Sequence, residues 1–174
     1  VAWIQCVGSR DKSINRDYCS SVCCMYATKQ AIIAREHDAS VEPTIFFIDM
    51  RAHGKGFDRY YERAQESGVR YVRSMVSRVA EKPQNQNLEI SYVDASGKIQ
   101  VEEFDLVVLS VGLDAHPDAM AMGKRLGIET NVWNYAVSQP YDEVASSRPG
   151  IFTCGVYQAP KDIPGCVVDS SAAA

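Results

Sequence analysis

Four cysteines, Cys6, Cys19, Cys23 and Cys24, fall within nineteen residues near the start of the chain, at spacings of thirteen, four and one. Thiolates are the soft donors that hold iron–sulfur clusters, and a cubane offers four iron corners to ligate. Adjacent Cys23 and Cys24 are poorly placed to bridge each other, because disulfide geometry strains a trans Cys-Cys peptide. Zinc favours paired Cys-x₂₋₄-Cys knuckles at two separated places, which this spacing matches poorly. An iron–sulfur cluster is the first reading of these residues. A zinc site, and packed thiols or a redox dithiol, stay open beside it.

Such ligands need a frame. Residues 2–7 are short and apolar, a buried strand, and 8–18 form a polar, charged loop. A helix is expected over 20–36, with Val22, Tyr26, Ala27, Ala31, Ile33 and Ala34 on its packing face. Cys19, Cys23 and Cys24 then lie at a helix start, where unpaired N–H groups and the helix dipole favour a negatively charged centre. A strand-loop-helix unit normally carries a glycine-rich phosphate loop at this place. Cys6-Val7-Gly8-Ser9 has one glycine where three are needed, and Gly54-Lys55-Gly56 lacks a third at the right spacing, so a nicotinamide pyrophosphate has no close backbone approach.

The apolar run 44–48 reads as a strand buried on both faces. Strand, helix, strand gives a βαβ unit and an α/β fold with a parallel sheet. A helix over 57–67 capped by Gly68, a strand over 69–73, and a polar break at 82–87 follow. Alternating 88–93 and 98–104 around Asp94-Ala95-Ser96-Gly97 make a hairpin. Beyond it come a buried strand over 106–111, a helix over 118–126, an irregular stretch to 149, a strand over 151–153 and a terminal helix from 163.

With 174 residues, 46% of them hydrophobic, the chain fits one compact domain or one with a smaller lobe. A net charge of −4 gives no electrostatic reason to bind nucleic acid. The longest apolar run, 106–113, is too short to span a bilayer. The chain opens at Val1-Ala2-Trp3-Ile4 without an initiator Met and stops at Ser171-Ala172-Ala173-Ala174 inside a helix, so an internal piece of a longer protein is expected. Clustered cysteines without a secretory leader suit a reducing, cytoplasmic setting.

Cys-Val-Gly-Ser-Arg-Asp at 6–11, Tyr-Cys-Ser-Ser-Val-Cys-Cys-Met-Tyr-Ala-Thr-Lys-Gln-Ala at 18–31, Asp-Met-Arg-Ala at 49–52 with Gly-Lys-Gly-Phe at 54–57, and Gly-Ile-Phe-Thr-Cys-Gly at 150–155 with Pro-Lys-Asp-Ile-Pro at 160–164 resemble the heterodisulfide reductase family, in its A-type chains and their relatives. The resemblance spans the whole chain. It implies a flavoprotein of thioredoxin-reductase-like architecture with several iron–sulfur clusters, some members of which bifurcate electrons at the flavin. It further implies a [4Fe–4S] cluster held by Cys6, Cys19, Cys23 and Cys24, FAD in the intact protein, and electron transfer between the two toward a disulfide or another acceptor. Implied partners are other subunits of that type and an electron-donating hydrogenase or dehydrogenase, with a second copy of the chain as a further candidate.

By the same resemblance, residues 1–112 form a Rossmann-like, three-layer, pyridine-nucleotide-type lobe that bears the cluster and a β-hairpin insertion. Residues 113–174 form a connecting segment and the C-terminal part of the FAD lobe, whose N-terminal half lies outside this chain. Gly112, Gly155, Val156, Lys161, Asp162 and Ile163 are the candidate flavin contacts. Related flavoproteins often end the returning strand in Gly-Asp, where this chain has Gly155-Val156, so that contact is not carried over. Lys29, five residues past Cys24, is a candidate cation near the redox centre; a helix lysine is more often simply solvated. Arg10 and Arg51 share that ambiguity, and His37, His53 and His116 read as isolated surface residues. Cys154 and Cys166 read as packed thiols. The competing functions are a zinc- or disulfide-stabilised interaction module without redox role, and a NAD(P)H-dependent flavoprotein oxidoreductase.

Overall fold

The computed structural model describes residues 1–174, which divide into two units. The first comprises Val1–Val7 and Cys23–Val111, the second Gly8–Val22 and Gly112–Ala174.

The first unit is built on four parallel strands, β1 (Ala2–Val7), β2 (Thr44–Phe47), β3 (Arg70–Arg73) and β7 (Val107–Val111), in the order β3-β2-β1-β7. Helix α1 (Cys23–His37) connects β1 to β2, and α2 (Phe57–Glu66) connects β2 to β3. Side chains alternate between two cores, as a strand covered on both faces requires. Trp3 and Ile45 pack with Ala27, Ala31 and Ile32 of α1 and Ala64 of α2. The alanines let the helix approach closely, and the Trp3 indole N–H donates to Gln30 Oε1 at 3.0 Å. On the other face, Ala2 and Phe46 pack with Ile90, Tyr92 and Phe104. Phe46 meets Tyr92 and Phe104 edge-on, with ring centroids 5.0 and 5.9 Å apart.

That second face is covered by an antiparallel sheet of three strands, β4 (Val76–Glu81), β5 (Leu88–Val93) and β6 (Ile99–Phe104), rather than by a hairpin alone. The alternation in β4 is broken by a register shift between Val76 and Arg78, which hides the strand from a period-two reading. The parallel sheet thus lies between helices and a second sheet, the expected three layers.

Helix α1 begins at Cys23 and not at residue 20. Ser21 takes a left-handed φ of +62°, and the Val22 N–H bonds back to Ser20 O at 2.8 Å, so helical geometry cannot start earlier.

The second unit carries α3 (Pro117–Leu126), the short strands β8 (Ser138–Gln139) and β9 (Asp142–Ser146), and α4 (Ile163–Ala173). His116 is the N-cap of α3: its Nδ1 accepts from the Asp118 N–H at 3.2 Å. The strand expected over 151–153 is reduced to one bridge, Phe152 opposite Ala145, beside β9. No helix is long and apolar enough to cross a membrane.

Candidate metal centre

Open α/β sheets present their sites at the carboxyl ends of the strands, above all where the strand order reverses. Here the reversal falls between β1 and β7, and Cys6 sits near the carboxyl end of β1. Ile4 pairs with Leu109 and Val7 with Val111, so β1 advances three residues while β7 advances two. Within this bulge Cys6 takes a left-handed φ of +61°, a conformation that costs a residue with a side chain about 1–2 kcal/mol. Regular alternation would send Cys6 with Ala2 and Ile4 toward the antiparallel sheet. The bulge breaks that alternation at Cys6.

Three thiols of the first unit consequently share one neighbour. Tyr26 lies one turn past Cys23 on α1, and its hydroxyl donates to Val111 O at 2.8 Å. Its phenol is pushed up to about 12, by burial first and then by Cys23, with Cys6 and Cys24 adding to the effect. Cys23 and Cys24 are 1% and 4% exposed. The Cys24 thiol donates to Asp49 O at 3.7 Å in the loop after β2, where Asp49 also holds Arg51. Burial likewise pushes the Tyr71 phenol up to about 12, with Tyr61 and Cys24 contributing, while its hydrogen bond with Thr28 opposes the shift.

Gln5 lies on β1 and Ser110 on the neighbouring β7. Gln5 follows Trp3 by two residues and shares its face of the sheet; Ser110 follows Val108, which pairs with Trp3. Gln5 is 6% exposed, and neither its Nε2 nor its Oε1 has a hydrogen-bond partner; Ser110 is fully buried, its hydroxyl interacting with the Tyr26 phenol. Leaving such groups unpaired costs about 1–3 kcal/mol each. The sequence alone singles out neither residue, since the signal is their side-by-side register on adjacent strands.

None of the six cysteines is in a disulfide. No three His, Cys, Asp or Glu side chains are drawn together as around a single ion.

The second unit holds Cys19, half-buried, whose Sγ accepts the Ser21 N–H at 3.3 Å. Its neighbour Tyr18 is packed edge-on against Trp133 and Tyr135, and both tyrosine hydroxyls donate to Leu113 O, at 2.9 and 3.1 Å. Arg16 pairs with Asp114 at 2.6 Å. A Cβ on Gly112 would come within 3.1 Å of Ser20 Cβ and 3.2 Å of Ser9 Cβ, so close packing alone already favours glycine there.

The other candidates lie around α4. The Gly155 N–H, at a residue with φ +64°, donates to Asp169 Oδ2 at 3.1 Å. Lys161 donates to the same carboxylate and to Gln158 Oε1. Asp162 caps α4 by accepting the Gly165 N–H at 2.8 Å. Val156 lies in a 3-10 turn, and Ile163 is exposed. Lys29 is exposed on α1.

No profile of a known protein family matches the chain. Among solved structures, it is similar to a thioredoxin reductase from Lactococcus lactis in its FR conformation, with a TM-score of 0.59 and 19% identity over 86% of this chain and 47% of that one. It is also similar to LpdA from Mycobacterium tuberculosis, with a TM-score of 0.57 and 13% identity over 86% of this chain and 31% of that one. The architecture is therefore the thioredoxin-reductase-like one.

Among curated proteins the likeness runs through all of this chain. It is 41% identical to the iron-sulfur A-type chain of the CoB–CoM heterodisulfide reductase of Methanocaldococcus jannaschii, covering 27% of that protein. It is 41% identical to the A-type chain of the H(2)/formate:CoB-CoM heterodisulfide,ferredoxin reductase of Methanococcus maripaludis, again over 27%. With the A-type chain of the ferredoxin/F(420)H(2)-dependent CoB-CoM heterodisulfide reductase from Methanosarcina acetivorans the figures are 35% and 22%. The chain is homologous throughout its length to a segment of these A-type heterodisulfide reductase chains. It spans about a quarter of the length of these relatives.

Proposed function

We propose that this chain is the part of an oxidoreductase that passes single electrons between FAD and a [4Fe–4S] cluster, toward a heterodisulfide or another acceptor. The observation that carries the reading is Cys6, set in a bulge at the switch point and acting, with Cys23 and Cys24, on the Tyr26 phenol.

Cys6, Cys19, Cys23 and Cys24 are assigned as the thiolate ligands. When bound, a cubane would supply reversible one-electron storage at the strand ends. Around it, the chain's own groups are donors: the Ser21 N–H already points at Cys19 Sγ, and the positive end of the α1 dipole lies at Cys23. Gly112, Gly155, Val156, Lys161, Asp162 and Ile163 are assigned to the flavin side. There the Asp162 side chain takes the Gly165 N–H and Pro164 has none, which leaves the Ile163 N–H as a first-turn donor. Lys161 is held in place by Asp169 and Gln158. Residues 1–112 act as the cluster-bearing lobe, and 113–174 contribute to the flavin lobe.

The relatives' names mention hydrogen, formate, ferredoxin and F(420)H(2). Companion subunits and an electron-donating hydrogenase or dehydrogenase, in the cytoplasm, are the matching partners, and a homodimer is compatible with them. Anaerobic reconstitution tests the reading. About four irons per chain, with sulfide, are expected, and Cys23→Ser or Cys24→Ser lowers the iron sharply. Equal iron in both variants and the parent overturns it.

A further inference from the structure

We infer that Gln5 is a hydrogen-bond donor to the sulfur of the cluster and sets its reduction potential. The inference rests on the cluster assignment made above and adds a residue that is not a ligand.

Gln5 precedes Cys6 at the end of β1, on the face that α1 covers, as Trp3 does. Trp3 reaches the helix at Ala27, Gln30 and Ala31. Two residues further along the strand is about 6.6 Å, or roughly four residues of an antiparallel helix at about 1.5 Å each. That displacement brings Gln5 under the first turn of α1, where Cys23 and Cys24 lie. Its carboxamide is more than nine-tenths buried, and both ends are without a partner. Buried carboxamides are rarely left so unless a missing group completes them.

Ser110 stands on the neighbouring strand, fully buried, with its hydroxyl interacting with the Tyr26 phenol of α1. The chemistry of the pair is complementary: a hydroxyl can donate to the Gln5 carbonyl, which directs the NH₂ end toward the thiolates. Ser110 is thus a positioning residue, and Gln5 the donor. A cluster gains negative charge on reduction, so an N–H donated to its sulfur stabilises the reduced form and raises the potential. Hydrogen bonds to a charged acceptor are the stronger kind and shift such an equilibrium by about tenfold.

The test uses the cluster-loaded protein in its longest available form. Iron is measured first, then the potential by a redox titration followed by EPR. Gln5→Leu should keep its iron and become about tenfold harder to reduce, about 59 mV more negative for one electron. In parallel, unsubstituted protein labelled with 15N in the glutamine side chain should show a nitrogen coupling to the reduced cluster by pulsed EPR, whether or not the variant folds. A loaded variant with an unchanged potential, or a loaded parent without that coupling, overturns the role of Gln5 and leaves the cluster assignment standing. A parent chain that takes up no iron overturns both.

Discussion

Asp169 gathers two donors onto one buried carboxylate: the Gly155 N–H and the Lys161 ammonium both bond to its Oδ2. This ties the 3-10 turn and the approach to α4 to the helix itself. Asp169→Ala would leave the Gly155 N–H without an acceptor and strip a largely covered ammonium of its charged partner. A loss of about 2–3 kcal/mol is expected, readable as a lowered thermal midpoint. Gln158 offers Lys161 a remaining acceptor, which keeps the loss below that of a fully isolated charge.

The six cysteines should separate into two classes. Cys6→Ser removes one of the three thiols that act on Tyr26 and should sharply lower reconstituted iron. Cys154→Ser and Cys166→Ser should keep it, since these two belong to the α4 region, where Ser170 Oγ lies 3.7 Å from Cys154 Sγ and the Cys166 thiol packs at Gly155. Iron lost equally from all three variants would remove the distinction.

Gly123 and Tyr157 form a tight pair. A Cβ on Gly123 would collide with the Tyr157 hydroxyl, which is buried and has no partner. Gly123→Ala should therefore cost about 1–3 kcal/mol through overpacking. Tyr157→Phe removes the stranded hydroxyl and should be neutral or stabilise by up to about 1 kcal/mol. In the double variant, the phenylalanine should recover most of the alanine's cost, as denaturant midpoints would show.

Glu102 on β6 predicts a pH dependence. Arg70 on β3 holds its carboxyl below the ordinary value and the Tyr92 hydroxyl adds to this, while burial opposes both. A carboxylate depressed in the fold stabilises it above the unfolded pKa, near 4.3, and that contribution fades as pH falls through the lower folded value. Glu102→Gln should thus lower stability at pH 7 and flatten the decline below about pH 4.3. With side chains 47% and 30% exposed, solvent screens the pair, and a difference of about 0.5–1 kcal/mol is expected.

The sequence announced its elements wherever periodicity was clean. Residues 44–48 and 88–104 fell into place because continuous or alternating apolar runs survive any register. The strand at Val76–Glu81 was silent because its bulge resets the alternation, and β9, with Asp142 and Glu143 at its start, has no apolar period to detect. The onset of α1 lies three residues later than its composition suggests, because a left-handed Ser21 leaves no compositional trace. Ligand candidates were legible from cysteine spacing alone. Gln5 was not, since its orphaned state depends on which elements cover it in the fold.

The burial of Cys23 and Cys24 also has a kinetic meaning. In the metal-free chain an alkylating reagent meets exposed Cys154 directly, whereas these two thiols become reachable only when the start of α1 opens. Their labelling rates therefore count opening events of the helix, with Cys154 as an internal clock for reagent strength. The chain carries its own gauge of local unfolding at the place where metal is expected to suppress it.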